Sequence, residues 1–157
     1  MPEYRGSLKA DGRRFAVVVS RFNEEVTGRL LAGVRACLSE HGVTEEGVDT
    51  FSVPGAWELP VAALHAARAG YDAVIAIGCV IRGDTPHFDY VAGGAAQGLA
   101  QVSVDTGVPV IFGVLTTEDV QQAMDRAGGK IGNKGWEAAQ TALEMANLLR
   151  TMGARDG

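Results

Sequence analysis

Four short apolar runs alternate along this chain with stretches that carry only one apolar face. Phe15-Ala16-Val17-Val18-Val19-Ser20 and residues 73–80 are almost continuously hydrophobic, the pattern of a strand covered on both sides. Residues 48–53 and 108–115 read as two further strands, the first closed by Pro54-Gly55. Val26, Leu30, Val34 and Leu38 recur every fourth residue, a helix stripe that Gly42 stops just after His41. Residues 57–69 carry Leu59, Ala62, Ala63, Ala66 and Ala67, a second helix in which Pro60 is tolerable only in the first turn. Val91, Ala95, Leu99 and Val102 mark a third. Thr116-Thr117-Glu118-Asp119 predicts the start of a fourth, with a hydroxyl cap and acids in the first turn. Its stripe is Val120, Ala123, Met124 and Ala127, and Gly128-Gly129 breaks it. Ala138, Ala142, Met145 and Leu149 predict a last helix after Gly135, while residues 1–12 fit a tail or an edge strand.

Strand and helix thus alternate four times, which predicts an α/β fold with a four-stranded parallel sheet covered by helices on both faces. Such sheets bind ligands beyond the carboxyl ends of their strands, so the residues that follow each strand are the candidates for chemistry. At 157 residues and 46% hydrophobic, the chain is sized for one domain, residues 1–157, with a real core. Fourteen basic against nineteen acidic residues give −5, which argues against general nucleic-acid binding but leaves room for a local anion pocket. No run approaches the ~18 apolar residues of a spanning helix. No apolar segment follows a basic start either, so the chain reads as cytoplasmic.

The strand ends collect an aromatic, a carboxylate, an imidazole and hydroxyls: Arg21-Phe22-Asn23, Ala56-Trp57-Glu58, the loop from Arg82 to His87, and Thr116-Thr117. Neither GxGxxG nor a P-loop is present. Gly83-Asp84-Thr85 ahead of His87 and a helix is the best anion candidate, because helix-start N–H groups attract phosphate. The plain alternative is an ordinary loop-to-helix turn, and an inward Asp84 carboxylate would repel a phosphate. His87 suits proton transfer near neutral pH, or is simply exposed. His41 and His65 fall on helices and read as surface residues. Glu58 either complements a helix dipole or bonds substrate. Phe22 and Trp57 are either core or walls for a flat heterocycle. Arg126, Lys130 and Lys134 flank a glycine-rich bend, as solvated charges near a helix end or as a clamp on an anion. Cys37 and Cys79 lack CxxC spacing and read as buried free thiols. No His/Cys/carboxylate set has metal-ligand spacing, so no metal is expected. The 21 glycines include Gly93, Gly94 and Gly98 inside the third helix, where each costs ~1 kcal/mol against alanine. Close backbone packing, between subunits for example, would offset that.

Arg21-Phe22-Asn23, Pro54-Gly55-Ala56-Trp57-Glu58, the segment from Gly78 to Val91, Phe112-Gly113-Val114-Leu115-Thr116-Thr117, Asp125-Arg126-Ala127-Gly128 and Gly132-Asn133-Lys134-Gly135 occur in this order. Together they resemble the 6,7-dimethyl-8-ribityllumazine synthase family of riboflavin biosynthesis over nearly the whole chain. IRGDTPHFDYV is the most specific part. The resemblance implies a flavodoxin-like three-layer sandwich in homopentamers with active sites between neighbouring subunits. It implies condensation of 5-amino-6-(ribitylamino)uracil with 3,4-dihydroxy-2-butanone 4-phosphate, without metal or organic cofactor. It implies that Phe22 stacks on the pyrimidine, that Asn23, Ala56, Trp57 and Glu58 surround the ribityl chain and its neighbourhood, and that Cys79, Val80 and Ile81 line the heterocycle site. Asp84 and Thr85 match the phosphate loop and His87 the proton donor and acceptor. Phe112, Arg126 and Lys134 would reach across from the adjacent subunit, Arg126 to the phosphate. The glycines of the third helix would surround a fivefold channel. The bend from Gly128 to Gly135, free of insertions, resembles that of the members that close into sixty-subunit shells. A riboflavin synthase of the related pentameric type, or a non-catalytic flavin-binding or cage-forming paralogue, are the competing readings.

Overall fold

The two most apolar runs become the two central strands of the sheet. In the computed structural model, which describes residues 1–156, β1 (Phe15–Ser20) pairs in parallel with β3 (Ala73–Ile81). β2 (Val48–Val53) lies outside β1 and β4 (Val110–Thr117) outside β3, giving the all-parallel order β2-β1-β3-β4. Every residue of β1 is buried, and β3 is buried up to Val80. Alternate side chains leave the sheet on opposite faces. Phe15, Val17, Val19, Ile75 and Ile77 join one core with α1 (Glu24–Glu40) and α5 (Lys134–Asp156). Ala16, Val18, Val74 and Ala76 join a second with α2 (Leu59–Ala67) and α3 (His87–Thr106). The result is a three-layer α/β sandwich, as the alternating pattern predicts, of the flavodoxin-like kind that the resemblance implies. Burial on both faces explains why the central runs carry no polar alternation, whereas the flanking β2 leaves Thr50, Phe51 and Ser52 exposed. Among the described residues, no helix is long and apolar enough to cross a membrane.

Several boundaries and one segment differ from the sequence reading. Residues 1–10 form no edge strand. They run along α5, where the buried Asn147 amide donates to the carbonyls of Ser7 and Lys9, each at 2.9 Å, and its Oδ1 accepts from Arg13 Nε at 2.9 Å. These bonds satisfy the backbone without a sheet partner. A 3₁₀ turn, Ala56–Glu58, precedes α2, which takes Pro60 in its first turn and ends at Ala67. β4 begins two residues later than expected and absorbs Thr116 and Thr117. The cap of α4 (Val120–Asp125) is therefore a carboxylate, not a hydroxyl: Asp119 Oδ1 accepts from Gln122 N at 2.8 Å. Gly128-Gly129 does more than break that helix. β5 (Ala127–Gly129) and β6 (Gly132–Asn133) form a small antiparallel hairpin, anchored by bonds from Ile131 N to Asp125 O and from Lys134 N to Arg126 O, each 2.8 Å. His41, expected at the surface, is half-buried at the end of α1. Its Nδ1 is 2.7 Å from the Cys37 carbonyl and its ring meets the edge of Trp136.

Two of the three α3 glycines are explained inside the chain. A Cβ on Gly94 would collide with the Trp57 ring, and one on Gly98 would lie 2.8 Å from Pro60. These glycines let the Ala56–Glu58 turn and α2 close onto α3, which gives them a packing role within the chain, while Gly93 faces open space. A tighter approach occurs at Gly135. Asn133 caps α5 by accepting from Gly135 N at 2.8 Å and Trp136 N at 3.1 Å, and its amide donates to Arg29 O on α1 at 3.1 Å. A Cβ on Gly135 would overlap the Leu30 carbonyl of that helix. Because the obstacle is backbone, relief requires α1 and α5 to separate. Gly135→Ala is expected to destabilise the fold by about 3 kcal/mol, at the upper end for overpacking, seen as a lower urea midpoint at unchanged m-value.

Candidate active site

The parallel ladder continues past the strand ends and shapes the rim. Arg21 N donates to Val53 O at 2.9 Å and Phe22 N to Pro54 O at 3.0 Å. Held this way, Phe22 projects outward and is 71% exposed, which removes the reading of it as core. Asn23 then turns the chain into α1 with left-handed backbone angles, φ 64° and ψ 49°, a region that asparagine tolerates better than most residues. Its carbonyl accepts from Val26 N and Thr27 N, each at 3.0 Å, and its side-chain amide donates to the Cys79 carbonyl at 3.0 Å. The amide of Asn23 thus ties the β1–α1 turn to the end of β3.

The Ala56–Glu58 turn sets Ala56 into the core, leaves Trp57 61% exposed with its ring against α3, and folds the half-buried Glu58 back so that its Oε1 approaches Gly55. β3 delivers the backbone of Cys79, Val80 and Ile81 to the same rim. The loop 82–86 leads to His87, the first residue of α3. His87 is exposed, and its backbone N lies 3.4 Å from Thr85 Oγ1. These groups surround a cavity of about 800 Å³, within the range of small-ligand sites.

Among the described residues, that cavity is lined by Phe22, Ala56, Trp57, Glu58, Cys79, Val80, Ile81, Thr85 and His87, nine of the residues expected from the sequence. Asn23 and Asp84 do not line it. The Asn23 amide is occupied by the Cys79 carbonyl, and Asp84 is an exposed residue of the 82–86 loop. The cavity adds Pro54, Gly55, Gly83, Phe88, Tyr90 and Val91. Tyr90, 72% exposed, was legible in principle: it stands three residues after His87, on the same face of α3.

Phe112, Arg126 and Lys134 are elsewhere. They line a second cavity of about 400 Å³ against the outer strand β4, together with Thr116, Thr117, Ile131 and Glu137. The two cavities share no lining residue among those described. The first lies over the ends of β1, β2 and β3, the second against β4 at the edge of the sheet. The β5–β6 hairpin positions the cations. Arg126 ends α4, with Nη1 donating to Gln122 O at 2.9 Å, and Lys134 opens α5. Lys130 does not join them: its Nζ lies 3.8 Å from Asp125 at the hairpin tip. One cavity therefore offers an apolar, aromatic wall with an imidazole, and the other offers two cations beside an aromatic ring.

Both cysteines are buried and free. Burial pushes the Cys79 thiol up to about 11, and burial with the nearby Glu40 charge does the same for Cys37. Neither is a nucleophile near neutral pH. In the unfolded chain a thiol ionises near pH 8.5, so between there and about 11 the unfolded state holds fewer protons than the folded one. Stability must then fall as pH rises through that window. A urea midpoint that declines from pH 8.5 to 10.5, and declines less in a Cys37→Ser/Cys79→Ala variant, is the expected result.

The family model described as 6,7-dimethyl-8-ribityllumazine synthase matches residues 12–150 of the 157. The matched stretch contains every residue of both cavities.

Proposed function

The chain belongs to the 6,7-dimethyl-8-ribityllumazine synthase family of riboflavin biosynthesis enzymes, and we propose that it condenses 5-amino-6-(ribitylamino)uracil with 3,4-dihydroxy-2-butanone 4-phosphate, releasing phosphate and water. The observation that carries this reading is the division of the chemistry between two separate cavities, one over the ends of β1, β2 and β3 and one against β4. A flat ring, a polyol and a phosphate call for an aromatic wall, hydrogen-bonding groups and cations, and a single chain keeps the wall and the cations apart. A neighbouring copy in a homopentamer would bring its second cavity to the first, and so complete the site. Pentamers would in turn close into a shell. We read residues 1–157 as one domain and its place of work as the cytoplasm.

In the completed site Phe22 stacks on the pyrimidine, while Ala56, Trp57 and Glu58 hold the ribityl chain. Backbone groups of Cys79, Val80 and Ile81 fix the ring edge. Thr85 and the backbone N–H groups of the loop meet the phosphate, with the Asp84 carboxylate outside. From the neighbour, Phe112 covers the ring, Arg126 grips the phosphate and Lys134 bonds ribityl or phosphate oxygens. The substrate's own amine attacks the ketone, so no enzyme nucleophile is required, and water leaves as the imine forms. His87 then removes a proton from the carbon next to the imine while the phosphate departs onto Arg126. The enol left behind takes a proton at its terminal carbon and becomes a methyl ketone, and the ribitylamino nitrogen attacks that carbonyl and closes the second ring with loss of a further water, a step that depends mainly on orientation.

The purified protein incubated with both substrates should form fluorescent lumazine faster than an enzyme-free control, with one phosphate released per lumazine. A rate equal to the control overturns the enzymatic reading and leaves a binding or cage paralogue. Consumption of two lumazines without phosphate release would mark a pentameric riboflavin synthase instead.

A further inference from the structure

Arg82, at the start of the 82–86 loop, lines neither cavity among the described residues, yet it connects the parts of the first one that handle phosphate and protons. Its backbone N donates to Thr117 O at 2.9 Å, at the end of β4. Its Nε lies 2.9 Å from Glu118 Oε2 in the turn beyond, as an ion pair, and its Nη1 lies 3.5 Å from Asp89 Oδ1 in the first turn of α3. The guanidinium also sits over the Phe88 ring, 4.4 Å from its centre. Phe88 follows His87 directly and lines the cavity. One side chain therefore fastens the base of the loop to the turn that presents His87, and both to the end of β4.

Exposed ion pairs taken singly contribute little. This guanidinium is different in that it is shared between two carboxylates and stacked on a ring, a geometry open to arginine and not to lysine. Its charge matters as well. Asp84, Asp89 and Glu118 all stand close in sequence or space to the loop, and a phosphate dianion approaching Thr85 would meet their combined negative field. We propose that Arg82 is a positioning residue for the phosphate-bearing substrate. It holds the 82–86 loop and the His87 turn in place, and it cancels the field of Asp89 and Glu118 without touching substrate. The inference rests on the reaction proposed above.

Arg82→Gln, Arg82→Lys and Arg82→Gln/Glu118→Gln proteins would be assayed with each substrate varied in turn. Binding of inorganic phosphate would be titrated separately by calorimetry. Arg82→Gln should raise KM for the butanone phosphate about tenfold, and weaken inorganic phosphate to a similar degree, the size expected of one screened charge nearby. KM for the aminouracil should stay within about twofold, and the defect should shrink at high salt. Adding Glu118→Gln should restore most of the loss, and Arg82→Lys should fall between wild type and Arg82→Gln. A purely structural role would raise both KM values together and gain nothing from Glu118→Gln, and that result overturns the proposal. So does an unchanged phosphate affinity in Arg82→Gln. A wild type that binds phosphate in an Arg82-dependent way but makes no lumazine would overturn the reaction and leave the role of Arg82 in phosphate binding standing.

Discussion

His87→Ala is expected to lower kcat by roughly 10²-fold, the low end for loss of a general acid–base, because amine and ketone also react slowly without a catalyst. His87 is the first residue of α3 and is exposed to the cavity. The fold places no weight on its ring, so the melting temperature should hardly move. KM for both substrates should stay near wild type, since Phe22, Trp57 and Thr85 are untouched. Full activity in the variant would remove His87 from the chemistry and direct attention to Tyr90, the other protic side chain on that face of α3.

Arg126→Ala is expected to act on the other half of the reaction. Charge-assisted bonds to phosphate are about twice as strong as neutral ones. One such contact is worth roughly 1.5–3 kcal/mol, so kcat/KM for the butanone phosphate should fall by about 10- to 100-fold. KM for that substrate should rise and kcat should fall as well, because the leaving phosphate gathers charge in the transition state. Arg126 is half-buried and bonds the Gln122 carbonyl, so a modest loss of stability should accompany the change. Arg126→Lys should recover part of the charge effect but not the planar fork. Equal damage to the two KM values would contradict a phosphate role.

The sequence pattern was most legible where burial is two-sided. β1 and β3 are recovered almost to the residue, because a run such as Phe15 to Ser20 has no other use for six buried positions. The boundaries of β4 drift by two residues at each end, whereas the partly exposed β2 keeps its expected range. The N-terminal segment was not legible, because the buried amide that ties it down, Asn147, reads in the sequence as one more polar position on a helix. The packing role of Gly94 and Gly98 in α3 was hidden for a similar reason: Trp57 and Pro60, which fill the space there, lie more than thirty positions away along the chain. For the site, the rule that ligands gather at strand ends located Phe22, Ala56-Trp57-Glu58, Thr85 and His87 together. It had no means of showing that the Asn23 amide is occupied by a backbone carbonyl, or that Lys130 turns away to Asp125. Nor could it show that Phe112, Arg126 and Lys134 form a cavity of their own.

That separation is the core of the account, and one measurement addresses it directly. His87→Ala and Arg126→Ala chains, each strongly impaired alone, would be co-expressed with different tags, and mixed assemblies purified through both. If each site is made from the first cavity of one copy and the second cavity of its neighbour, random mixing leaves about a quarter of the sites with both halves intact. Lumazine formation should then return to about a quarter of the wild-type rate. Mixed assemblies no more active than the average of the two parents would mean that each chain carries its own complete site, and would contradict the account.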